Sequence, residues 1–164
     1  MARLPTLIAS LFGIGFIPFA PGTVASAVAV PLAMLLGFHH GGGIAILLGS
    51  LAVLVVGVIA CEGHVRATGR EDPSECVIDE LAGQWLACAF AMFNAGGLLP
   101  AAQTPWLPFL LAFLLFRLFD IVKPWPVRWA DRNIAGGLGV MADDMLAGLM
   151  AGLVLALARL VVPL

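Results

Sequence analysis

An all-α, membrane-embedded helical bundle, with about five long apolar helices and a short N-terminal segment, is the fold this sequence predicts. Three observations lead there. The chain is 62% apolar with a mean hydropathy of +1.07, far above the roughly 45–50% apolar content of soluble domains. Sixteen of its 18 charged side chains fall in two windows, 62–80 and 117–144, leaving only Arg3 and Arg159 outside. Between those windows, proline and glycine clusters cut the apolar sequence into pieces of roughly the 20 residues needed to cross hydrocarbon.

The elements follow in order. Residues 4–17 are apolar but too short to span, so they predict an interfacial or re-entrant segment before Pro18. Pro5, Pro18 and Pro21 interrupt this stretch, and no cleavage site of a secretory signal is expected. Spans are predicted near 23–39, 43–61, 76–94, 106–123 and 141–162. Uncharged turns at His39–Gly43 and from Asn94 through Pro105 separate them. Asp72-Pro73-Ser74-Glu75 reads as an N-cap, a first-turn proline and a capping-box acid opening the third span. The fourth ends in the rigid corner Lys123-Pro124-Trp125-Pro126, where Trp125 and Trp129 suit a membrane–water interface. Gly136-Gly137-Leu138-Gly139 reads as a loop before the fifth span, in which Gly148 and Gly152 would let another helix approach closely. Nothing divides the chain, so residues 1–164 are read as a single domain.

Charge then sets the topology. Arg66 and Arg70 lie in one connection, and Arg117, Lys123, Arg128 and Arg132 lie in or beside another. Basic connections face the cytoplasm, which brings Glu62, Asp79, Glu80, Arg117, Asp120, Lys123, Asp143 and Asp144 to the cytoplasmic end. The basic residues alternate with acids, so no nucleic-acid partner is expected, and no obligate protein partner is evident. Cys61, Cys76 and Cys88 are odd in number and lack CxxC spacing, which predicts inert thiols rather than disulfides or a zinc site. His39 and His40 fall on the far side. His64 lies on the polar side without a recognisable partner and is read as non-catalytic.

Asp79-Glu80 and Asp143-Asp144 are adjacent acidic pairs, each opening an apolar run. One such pair is an ordinary helix start, where acids complement the dipole. Two pairs plus Asp120 at one depth point instead to a site, because acids at the edge of hydrocarbon are costly unless partnered. Arg117, Asp120 and Lys123 recur three apart along one helix face. Carboxylates beside cations suit Mg²⁺ and phosphate: hard oxygens hold the ion, and ion and cations together neutralise phosphate oxygens. Pro21-Gly22-Thr23 adds a tight turn whose helix start offers amides and a hydroxyl to an anion.

Pro21-Gly22-Thr23-x-x-Ser26, Asp79-Glu80-x-x-Gly83, Phe116-Arg117-x-Phe119-Asp120-x-x-Lys123-Pro124-x-Pro126 and Asp143-Asp144-x-x-Ala147-Gly148 together resemble the signature blocks of the phosphatidylglycerophosphatase A family. The resemblance covers about residues 13 to 152. It implies a Mg²⁺-dependent lipid phosphatase of the bacterial inner membrane, hydrolysing phosphatidylglycerophosphate to phosphatidylglycerol and inorganic phosphate from the cytoplasmic side. On this reading Asp79, Glu80, Asp120, Asp143 and Asp144 supply metal ligands and a base for water. Arg117 and Lys123, with Arg128 and Arg132, hold phosphate oxygens, and Thr23 adds a donor.

Other phosphatase chemistries lack their residues. There is no DxDxT segment, and Cys61 and Arg66 are one residue too close for a CxxxxxR loop. The histidines lie outside the acidic and basic blocks that a phosphohistidine route would need. The alternative from another class is a small transporter or ion pathway, which would place its acids near mid-bilayer rather than at one end.

Overall fold

The computed structural model describes residues 3–70, 73–98 and 106–161, and every regular element among them is helical. The order is α1 (Arg3–Ala9), a 3₁₀ turn (Ile14–Phe16), α2 (Pro21–His40), α3 (Gly42–Thr68), α4 (Ile78–Leu98), α5 (Leu107–Val122), α6 (Val127–Asn133) and α7 (Gly136–Val161). The all-helical class is as the sequence predicts. Among the described residues, three helices are long and apolar enough to cross a membrane: α2, α3 and residues 136–158 of α7. The count of five is therefore too high by this measure; α5, at 16 residues, reaches only about 24 Å.

α4 is the central helix, packed against α2, α3, α5 and α7. Its core is built from small and aromatic side chains, including Ala87, Cys88, Ala91, Phe109, Phe116 and Ala151. Outward faces of α2 and α3 carry Leu32, Leu35, Leu48, Val55 and Ile59 exposed. Apolar side chains that face no protein on such helices are the signature of a lipid-facing surface.

Glycines set the α4–α7 crossing. A Cβ on Gly83 of α4 would strike the Asp144 carbonyl of α7, and one on Gly148 would strike the Gly83 carbonyl. Backbone therefore meets backbone at this crossing, and it lies within one turn of both acidic pairs. Gly152 likewise gives its space to the Phe90 ring. The close approach expected at Gly148 and Gly152 is present.

Several boundaries differ from expectation. α4 begins at Ile78, not at Pro73. Residues 73–77 form a turn in which the Cys76 amide donates to the Pro73 carbonyl (2.8 Å) and the Val77 amide to Ala9 (2.9 Å). Tertiary bonding to α1 thus displaces the expected capping box, whose Asp72 lies outside the described residues. α4 also continues through Asn94–Gly97, expected as a turn, because no proline there removes a donor and unpaired backbone is costly in hydrocarbon. The Gln103–Pro105 part of that connection lies outside the described residues. Gly136 (φ +70°) opens α7 rather than ending a loop, and its next amide, Gly137, is capped across the bundle by Glu62 Oε2 at 2.8 Å. α6 was not anticipated. It follows the Lys123 corner, in which the Trp125–Pro126 peptide is cis.

Candidate active site

Three chain segments converge on one cavity of about 390 Å³: the first turn of α4, the C-terminal end of α5 with α6, and the first two turns of α7. Asp79, Glu80, Asp120, Lys123, Asp143, Asp144 and Arg132 all line it. Seven of the ten residues singled out from the sequence are thus brought together. Arg117 lies behind the wall, and Thr23 and Arg128 do not line this cavity.

Glu80, Asp120 and Asp144 each offer a carboxylate oxygen within 4.8 Å of the others. Asp144 is 4% exposed, and its Oδ2 has no hydrogen-bond partner. An orphaned buried carboxylate oxygen is rare, because it forfeits hydration without compensation. A divalent cation would supply what is missing, and an all-oxygen donor set without imidazole or thiolate suits a hard ion such as Mg²⁺.

Arg117 organises this trio from behind. Its Nη1 pairs with Glu80 Oε2, and its Nη2 with Asp120 Oδ2 at 3.1 Å. Arg117 also donates to Ser26 Oγ (3.2 Å), whose own proton has Glu80 Oε2 and the Gly22 carbonyl within reach at 2.9 Å each. A Cβ at Gly22 would collide with Glu80 Oε1. The Pro21-Gly22-Thr23-x-x-Ser26 block therefore serves Glu80: glycine makes room and serine bonds the carboxylate. Ser26, 0% exposed, is the site residue that reasoning from charge passed over, although it stands in that block.

On the opposite wall, Lys123 occupies a left-handed C-cap (φ +47°) after α5. Its Nζ donates to Asp143 Oδ2 at 2.7 Å and also pairs with Asp131 of α6. Asp131 was not singled out from the sequence; its signal was only its place in the second charged window. Asp79 Oδ1 accepts the Glu80 amide at 2.9 Å.

A second polar cluster lies beyond the cavity. His64, 2% exposed, contacts Glu75 Oε1 through Nε2 (3.2 Å) and Thr6 Oγ1 through Nδ1 (2.9 Å). Arg70 also pairs with Glu75. A carboxylate can only accept, so His64 donates from Nε2, while Nδ1 shares a hydrogen bond with the Thr6 hydroxyl. This corrects the expectation that His64 has no partner, while leaving it away from the cavity wall. Burial raises the Glu75 carboxyl, but a backbone amide, His64 and Arg70 together hold it below its usual range. All three cysteines are buried thiols outside any disulfide, and the Cys76 thiol donates to Cys61 Sγ at 3.3 Å.

Comparison with known proteins agrees with the motifs. The family described as "PgpA: Phosphatidylglycerophosphatase A" matches residues 7–159. A phosphatidylglycerophosphatase A of Escherichia coli K12 is 35% identical over 148 residues, covering 88% of this chain and 77% of the relative. A Bacteroides thetaiotaomicron protein named "Putative phosphatidylinositol-3-phosphatase" is 40% identical over 169 aligned positions, covering 97% and 96%. A phosphatidylglycerophosphatase A of Haemophilus influenzae is 34% identical over 148, covering 90% and 84%. No solved structure matches. The chain belongs to the phosphatidylglycerophosphatase A family, and it is a phosphatase, a phosphoric monoester hydrolase.

Proposed function

We propose that the chain hydrolyses the terminal phosphomonoester of phosphatidylglycerophosphate, with Mg²⁺ held by Glu80, Asp120 and Asp144, at a cavity facing the cytoplasm from a bacterial inner membrane. The observation that carries this reading is the carboxylate trio with its unpartnered Asp144 oxygen, set in a cavity at one end of apolar helices. The family and two relatives named for this activity support the substrate. The basic residues gathered at the cavity end support the cytoplasmic orientation.

The bound ion would neutralise charge on the phosphoryl oxygens. Lys123 and Arg132 on the cavity wall add cationic donors. Arg117 holds Glu80 and Asp120 in register rather than meeting substrate. Hydrolysis requires one proton to leave the attacking water as its oxygen bonds phosphorus. A second proton must reach the departing glycerol oxygen as the phosphorus–oxygen ester bond breaks. Asp79 and Asp143, two of the three cavity acids outside the trio, would serve these transfers. Monoester hydrolysis is among the slowest uncatalysed reactions, so charge neutralisation must supply much of the barrier reduction.

A second substrate, phosphatidylinositol 3-phosphate, enters through the Bacteroides relative. Phosphate release by purified protein from each lipid, with Mg²⁺ and then with EDTA, tests both. Release from phosphatidylglycerophosphate that EDTA abolishes supports the reading; release confined to the inositide, or indifferent to EDTA, overturns it.

A further inference from the structure

A second cleft adjoins the acidic cavity and shares Lys123, Arg132 and Asn133 with it. Its remaining wall includes Pro124, Trp125, Arg128 and Trp129, and its volume is about 460 Å³. Its electrostatics differ from those of the cavity. Six basic side chains are described, and four of them are paired: Arg66 with Glu62, Arg70 with Glu75, Arg117 with Glu80 and Asp120, and Lys123 with Asp131 and Asp143. Arg128 and Arg132 have no carboxylate partner among the described residues. Arg128 makes one long contact, 3.4 Å, to the Val122 carbonyl. Both unpaired guanidinium groups stand on this cleft.

Trp125 is 80% exposed and Trp129 53%. Exposed indoles beside free arginines, at the end of apolar helices, place the cleft at headgroup depth. Its polarity suits an anion whose attached groups are apolar, and its shared wall with the cavity means that one molecule can occupy both.

We propose that this cleft binds the phosphodiester joining the substrate's headgroup to its diacylglycerol. Arg128 meets the diester oxygens while the terminal monoester lies in the acidic cavity. The inference rests on the proposed lipid phosphatase activity and adds its substrate class: diacylglycerol lipids carrying both a diester and a terminal monoester. Phosphatidylglycerophosphate and phosphatidylinositol 3-phosphate both have that pattern. Phosphatidic acid, a monoester directly on diacylglycerol, does not. Guanidinium pairs bidentately with phosphate oxygens, so the arginine at this position confers selectivity as well as affinity.

The test compares wild type with Arg128→Gln and Arg128→Lys in neutral detergent micelles, measuring kcat and KM on phosphatidylglycerophosphate and on phosphatidic acid. Arg128→Gln is expected to lower the ratio of kcat/KM between the two lipids by about tenfold or more, chiefly through KM, with partial recovery in Arg128→Lys. Phosphatidylglycerol, which keeps the diester, should compete with substrate less well in Arg128→Gln than in wild type. An unchanged ratio overturns the inference. So does an effect seen only when other anionic lipids are added, which would mean that the cleft reads the bilayer and not the substrate. Failure of wild type to act on phosphatidylglycerophosphate would instead sink the proposed function itself, so the two failures are separable.

Discussion

Two polar clusters lie in the same charged end of this protein, and they are built differently. In the Thr6–His64–Glu75–Arg70 cluster every group has a partner: hydroxyl to imidazole, imidazole to carboxylate, carboxylate to guanidinium. Around the cavity, six acids face Lys123 and Arg132, with Arg117 behind the wall, and one buried oxygen of Asp144 has nothing to accept from. The first arrangement is complete, so it fastens α1, α3 and the 73–77 turn. The second is short of positive charge, so it is built to receive some. A charge deficit facing a cavity separates chemistry from architecture more clearly than burial does.

The sharpest way to break that contrast is Asp144→Asn, which removes the orphaned anion. Phosphate release from lipid should fall by about a thousandfold or more, on the scale of losing a principal electrostatic element, while the helical circular dichroism stays. Turnover within tenfold of wild type would mean that the trio holds no ion. Asp79→Asn and Asp143→Asn come next, each costing about a hundredfold or more in kcat. Whichever is the base should also abolish the acidic limb of the pH–rate profile. If both variants keep that limb, neither acid transfers the proton.

A third test works through packing. Gly83→Val forces a side chain between α4 and the Asp144 carbonyl and against the Phe116 ring. Overpacking of this kind costs about 1–3 kcal/mol, so both detergent stability and activity should drop together. Activity preserved at full stability would show that the crossing does not set the acid geometry.

The complete cluster should respond in the opposite sense. Glu75→Gln removes the carboxylate serving buried His64 and should lower stability by roughly 1–3 kcal/mol, with activity per folded molecule kept. Because Glu75 is held below its ordinary value of 4.5, its contribution is fully present above about that pH. It is lost as pH falls through the lower folded value. A denaturation series from pH 6 downward should therefore show a steeper stability loss in wild type than in Glu75→Gln. Parallel slopes would remove Glu75 from the account.

Much of this was legible from residues alone. The apolar runs and their proline and glycine breaks specify helices because hydrocarbon leaves the backbone no other way to satisfy its hydrogen bonds. Two charged windows in an otherwise neutral chain predict one polar end, since stranding those side chains elsewhere is costly. The family blocks named five of the six acids that line the cavity. Local pattern misled at 73–75, where a capping signature was outcompeted by bonds to α1. It was silent on α6 and on Asp131, which have no periodicity long enough to read.

Spacing along the chain determined which side chains could face inward, and composition determined the solvent they would meet. Only the tertiary structure decided which charges found partners. Asp79 and Asp143 are 64 positions apart, and nothing local distinguishes Arg117, tied to two acids, from Arg128, tied to none. That difference arises in packing: α4 carries Glu80 to Arg117, Lys123 takes the Asp131 that follows Arg128, and the Gly83–Gly148 contact brings α7 close enough for Asp144 to share room for an ion with Glu80 and Asp120.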